Sequence, residues 1–397
     1  MERQQVLEVI YDAFPEQPVP KPQIFSTHVH PQDRSNVQIF LSELEGKSWR
    51  SLSSEFCAKW RHSFSHLQPQ AYGYYIPALL TNSLSSGMGD TELMYRTVCA
   101  INPSFEAMSL EGCDTSLRTH QTAFTEAQYR AVCAFLGLAF DEGDRFRRFQ
   151  AAQGLRWGWN QFDTPALKAA NAHLHTLRTF SYPESEDPQI AVLCREIRAA
   201  FAATPYPGDE ALCPSVGEEP GEIAMGLRGV PWQSAHPHLL DCCNSALSFL
   251  SGAGFRYYLP AFLLVGLLLN ELNEFDYYGN GDPVFHLTYG LYDKRIDEED
   301  LAALSDFTGS GFVSLPNVEG INRSPQSMQE MFQKVSEIQN KIDWSQYSIQ
   351  RFTSFNREER TAIIHYLEYR AEDEFQAVKI HQTLEDYWRP SLHSGEV

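Results

Sequence analysis

The chain is short of positive charge. Its 31 lysines and arginines stand against 51 aspartates and glutamates, a formal charge of −20 over 397 residues. A field of that sign repels phosphate backbones, and no basic stripe offsets it, so the sequence argues against a nucleic-acid partner. Long apolar runs are missing as well. The longest, Leu259 to Leu269, is broken by Pro260 and Gly266, whereas a membrane span needs about 20 apolar residues; it reads as a buried core helix. The eight cysteines include no C-x-x-C pair. With a polar start at Met1 and no signal peptide, the expectation is reduced thiols in a cytoplasm. There is no Gly-x-Ser-x-Gly elbow and no Gly-x-Gly-x-x-Gly fingerprint. Gly46-Lys47-Ser48 resembles the end of a phosphate loop, but Leu41 replaces the glycine that such a loop requires. Strand-like alternation is scarce, and its best example, Val284 to Tyr289, fits a helix end equally well.

What the chain does contain is the same text twice. Tyr74-Tyr75-Ile76-Pro77-Ala78-Leu79-Leu80 returns 183 positions later as Tyr257-Tyr258-Leu259-Pro260-Ala261-Phe262-Leu263. Ala13-Phe14 followed by Pro18-Val19-Pro20 returns as Ala200-Phe201 followed by Pro205-Tyr206-Pro207. Trp49 pairs with Trp232, and Val98 with Ile101 pairs with Val284 and Leu287. Further on, Phe124-Thr125 pairs with Phe355-Asn356, Phe149 with Phe375 and Trp159 with Trp388. A repeat of this length means duplicated domains rather than a solenoid. The jump in offset places an insertion near 294–350 in the second copy, with a Gly309-Ser310-Gly311 turn and a helix expected from Gln326 to Ile342. The expected plan is a first copy over 1–181, a polar, proline-bounded linker over 182–188 and a second copy over 189–397.

Helical periodicity dominates both copies. Val6, Val9, Ile10, Ala13 and Phe14 share one helical face, and Pro15 and Pro205 stop their helices. Thr125 and Asn356 stand as N-caps. Proline is tolerated in a first turn, so Pro77 and Pro260 are expected to open core helices, with Tyr74, Tyr75, Tyr257 and Tyr258 closing the end of each core. The expected fold is mainly α, with little or no sheet: two homologous helical domains in tandem, related by a pseudo-two-fold axis. That makes the chain a monomer built as an intrachain pseudo-dimer.

Candidate chemistry is sparse. His28/His30, His173/His175 and His236/His238 are His-x-His pairs, whose rings share a side only on an extended chain. None recurs in the other copy, and no acidic third ligand stands at a metal-site spacing. His62 and His66 lie four apart on an expected helix but lack a zincin glutamate. The acidic stretch Asn270 to Asp276, with Asn280 and Asp282, lacks the ligand alternation of a calcium loop. Cys242-Cys243 reads as a pair of buried helical thiols.

The Ala-Phe, Pro-x-Pro, Tyr-Tyr-x-Pro-Ala and terminal Tyr387-Trp388 pattern resembles a bacterial family of unknown function, found there as a single-copy small protein. The second copy is closer to the pattern, through Pro205-Tyr206-Pro207-Gly208-Asp209, Arg256 and Asp386. The first departs from it at Pro20-Lys21-Pro22. The resemblance brings no catalytic residue, metal or cofactor. The residues that recur between the copies build cores, which points to a non-catalytic binding protein. On charge, that is an immunity or antitoxin-like protein that takes a basic protein partner. The rival expectation is a metal-dependent enzyme with a site in the second copy around Asp209, His236, His238, Asp282 and His286.

Overall fold

A computed structural model describes residues 1–23, 34–85, 91–102, 120–213, 218–272, 282–291, 344–372 and 374–393. Among the described residues all regular structure is helical, so the chain is a mainly α, two-domain protein. Val284 to Tyr289, the best strand candidate, lies largely in the Pro283–Thr288 helix, opened by Asp282 as N-cap and by Pro283 at its first position. The expected turn at 309–311 and helix at 326–342 fall outside the described residues.

By their contacts the residues form two compact units, each discontinuous in sequence. The first comprises 1–183, 206–254 and 272–281, and the second comprises 184–205, 255–271 and 282–397.

In the first unit the Arg3–Ala13 helix packs on the long Glu126–Glu142 helix and on Pro69–Ser85. Thr125 and Gln128 form a capping box at the start of Glu126–Glu142, satisfying two amides that the helix cannot pair itself. Where these elements meet, Phe14 abuts Phe124 edge-on at 6.2 Å, and Phe124 abuts Trp159 at 5.5 Å. The Trp159 indole donates to the Ile101 carbonyl at 2.9 Å. The turn carrying Trp159 follows a π-helical segment, Gly154–Gly158.

The second unit repeats this arrangement. The Pro188–Ala200 helix packs on Arg357–Arg370, which opens with an Asn356–Glu359 capping box. Phe201 abuts Phe355 at 6.2 Å, and Phe355 lies 6.3 Å from Trp388. Trp388, at the end of the π-helical segment Leu384–Trp388, donates to the Leu287 carbonyl at 3.1 Å. Every residue in this cluster is the sequence counterpart of one in the first unit, so the duplication extends to individual hydrogen bonds.

Pro77 and Pro260 do not open their helices. Each is the ninth residue of a 17-residue helix, Pro69–Ser85 and Gly252–Leu268. An interior proline removes one backbone hydrogen bond and costs about 3 kcal/mol or more. Burial offsets that cost: Tyr75, Ile76, Ala78, Leu79 and Leu80 are buried, as are Tyr258, Leu259, Ala261, Phe262 and Leu263. At about 1.5–3 kcal/mol for each large apolar side chain, the packing outweighs the local penalty. The paired tyrosines meet edge-on in both copies, at 4.8 Å for Tyr74–Tyr75 and 5.0 Å for Tyr257–Tyr258.

Candidate functional site

Several polar groups singled out by the sequence lie in the first unit. Asp209 follows Gly208, whose φ of +87° suits glycine. Tyr206 donates to Asp209 Oδ1 at 2.6 Å, Arg228 Nε donates to Oδ2 at 2.6 Å, and the Gly229 amide donates to the Tyr206 hydroxyl at 2.9 Å. Partial burial would raise the Asp209 pKa, but the hydrogen bonds from Tyr206 and Arg228 outweigh it and hold the carboxyl below its ordinary value. The group is a closed latch across the loop rather than an open acid.

His236 and His238 come together at a helix start. His236 is the N-cap of Pro237–Cys242, where its Nδ1 accepts from the His238 backbone amide at 3.0 Å. An accepting Nδ1 requires a neutral ring. Its ring packs against Phe180 at 4.5 Å and against His238 at 4.9 Å. Burial, then the neighbouring His238 and His173, push its pKa down to about 4. His173 joins this cluster from the Pro165–Arg178 helix and lines with His238, Arg145 and Arg148 a cavity of about 190 Å³. No signal in the sequence joins His173 to His238, since they sit on helices far apart in the chain. Arg145, which lines the cavity, holds its Nε 2.7 Å from Oδ2 of the fully buried Asp241. Cys242 donates to the Arg145 carbonyl at 3.8 Å, and burial drives the Cys242 and Cys243 thiols well above their ordinary pKa, which suits inert thiols.

Other candidates are placed elsewhere. Asp282 and His286 belong to the second unit. Asp282 Oδ1 accepts from the Val284 amide at 3.0 Å as an N-cap, and Arg370 stands 3.8 Å from its Oδ2. His286 is buried, beside Phe285 at 5.1 Å. His62 and His66 lie in a 3₁₀ helix, Arg61–His66, and not in an α-helix. His28, His30, most of the Asn270–Asp276 stretch and Asn280 lie outside the described residues. Among the described residues no group of three or more His, Cys, Asp or Glu side chains is arranged to hold a metal ion. No described helix is long and apolar enough to cross a membrane.

The second unit contains a polar feature that the sequence reading missed. Arg256 Nε donates to both oxygens of Glu359, at 3.0 and 2.9 Å, and Thr204 Oγ1 donates to Glu359 Oε1 at 2.7 Å. The carboxylate is fully buried, and it also accepts from the Asn356 amide within the capping box at 2.9 Å. The one available signal was the difference between copies, since the corresponding first-copy residues are Gly73, Gln128 and Gln17.

Residues 3–162 and 192–280 both match the model of a family of unknown function, DUF6714. Together they are more than half of the chain, which therefore belongs to that family and carries its domain twice. The second match stops ahead of the insertion expected in that copy. No curated protein and no solved structure matches the chain.

Proposed function

We propose that this is a non-catalytic binding protein that takes a basic protein partner on its acidic surface, in the manner of an immunity or antitoxin-like protein of a bacterial cytoplasm. The charge carries this reading: an excess of 20 acidic residues over basic ones steers cationic partners toward the surface and raises their rate of encounter. The pattern of retention between the copies supports it, because the shared residues Phe14/Phe201, Phe124/Phe355 and Trp159/Trp388 serve the cores. The Asp209 latch and the Asp282 cap are occupied with local structure, which also suits a scaffold that presents a surface.

The test is purification from the native host at low salt, followed by titration of any stoichiometric partner as a pure protein. A basic partner is expected, with affinity falling about tenfold or more between about 50 and 300 mM salt as the charges are screened. Failure to recover a stable partner, or recovery of one whose binding ignores salt, overturns the proposal.

A further inference from the structure

The second copy holds a half-buried arginine, paired with a fully buried glutamate, where the first copy holds a cavity. Three anchors fix the correspondence. Gly73 precedes Tyr74-Tyr75 as Arg256 precedes Tyr257-Tyr258, and Gln17 precedes Pro18 as Thr204 precedes Pro205. Gln128 and Glu359 are each the third residue of a capping box. In the second unit Thr204, Arg256 and Glu359 are joined by hydrogen bonds. In the first unit Gln17, Gly73 and Gln128 all line one cavity of about 110 Å³, with Trp49, Gln70 and Tyr74. That is room for more than one water, which needs roughly 10–15 Å³ by this measure.

The backbone does not require the glycine that keeps this space open. Gly73 sits inside a regular helix without a positive φ, and a Cβ built on it would meet only the Ala123 Cβ at 3.8 Å, an ordinary contact. A helical glycine is nevertheless destabilising by about 0.5–1 kcal/mol relative to alanine. The cavity is also polar. Gln17, Gln70 and Gln128 line it with amide groups, of which Gln128 Oε1 already accepts from the Thr125 amide at 2.9 Å, and the buried Tyr74 hydroxyl has no hydrogen-bond partner among the described residues. Pro77 has no N–H to give to the carbonyl four residues back, which is that of Gly73.

We propose that this cavity takes the guanidinium of an arginine side chain presented by a protein partner, in the place that Arg256 fills from within the second copy. The inference rests on the basic-partner reading above and gives it a point of contact. None of the residues lining the cavity is charged, which favours arginine over lysine. A guanidinium is weakly hydrated and spreads its donors in a planar fork suited to several neutral oxygens, whereas a compact ammonium loses more hydration and calls for a carboxylate. The aromatic wall suits the same guest. Arg50 already lies over Trp49 at 5.1 Å and over Tyr11 at 5.2 Å, so rings at this end of the unit accept a guanidinium on their faces.

The test uses the full-length protein and two capped tripeptides, Gly-Arg-Gly and Gly-Lys-Gly, with the Trp49 indole N–H followed by NMR and assigned through Trp49→Phe. The arginine peptide is expected to shift that signal saturably, with the lysine peptide at least about fivefold weaker. The double variant Gly73→Arg/Gln128→Glu rebuilds the second copy's ion pair inside the cavity and should abolish the response. Gly73→Met, which fills the space without charge, serves the same purpose if circular dichroism shows the double variant misfolded. No saturable shift in the unaltered protein, equal response to both peptides, or an undiminished response in a folded cavity-filling variant overturns the proposal. A response to neither peptide, beside a salt-sensitive basic partner from the host, would remove the pocket and leave the charge-based reading standing.

Discussion

Trp159 donates its indole N–H to the carbonyl of Ile101, and Trp388 does the same to Leu287, their counterparts in the other copy. Both indoles are fully buried, so each bond joins the end of a π-helical segment to an earlier helix without competition from water. Replacing either tryptophan by phenylalanine keeps most of the apolar contact and strands a buried carbonyl. Each substitution should cost about 1–3 kcal/mol, with both copies responding alike in urea denaturation. A loss confined to one variant would show that the two bonds are not equivalent.

The Arg256–Glu359 pair makes a larger demand. Its carboxylate is fully buried, so Arg256→Ala leaves a charge without its cationic partner and without the shared N–H that reaches both oxygens. The expected destabilisation is about 3–5 kcal/mol. Arg256→Gly/Glu359→Gln, which copies the first repeat at both positions, should cost less than the sum of the single changes. A double-mutant cycle measures that coupling directly.

Gly73→Ala should act in the opposite direction. The added methyl meets only the Ala123 Cβ at ordinary distance, and the helix gains about 0.5–1 kcal/mol from the lost freedom of the unfolded chain. A rise in the denaturation midpoint is the expected result.

Acid should weaken the first unit through His236. Its folded pKa is pushed down to about 4, against an ordinary value near 6.5, so the unfolded chain binds the proton more readily than the folded one. The contribution is present above the ordinary value and is lost as pH falls from about 6.5 toward about 4. The first copy uses Ser53 at the equivalent cap, where the hydroxyl accepts from the Phe56 amide. His236→Ser should therefore keep the cap and flatten the dependence of stability on pH between about 7.5 and 4.5, as followed by urea denaturation at each pH.

The duplication and the helical class were legible in the sequence because both depend on local signals. Aromatic and proline anchors survive with their spacing, and apolar residues at helical intervals mark the buried faces of Arg3–Ala13 and Glu126–Glu142. The prolines were misread for the same reason. Position in a first turn is a local preference, whereas Pro77 and Pro260 are held mid-helix by burial that only tertiary packing supplies. The polar sites were legible only in fragments: spacing marked His236 and His238, which do meet, but not their partners from distant helices. Arg256 and Glu359 stand 103 residues apart, and His173 meets His238 from a different helix. Nothing in the spacing of such residues encodes an encounter that depends on how helices cross.

The first compact unit ends neither where the first copy ends nor at the polar stretch that follows it. It draws in residues 206–254, which bring the buried Trp232, Leu239, Leu240 and Leu247 and the Pro237–Cys242 helix that packs on Arg145–Gln153 and Pro165–Arg178. A protease that severed the chain after Pro183 would therefore not release a finished globule. The amino-terminal fragment would keep its aromatic cluster but bare the side that those leucines cover. The copies are therefore interleaved in space: a stretch of the second, residues 206–254, completes the core of a unit built mainly from the first.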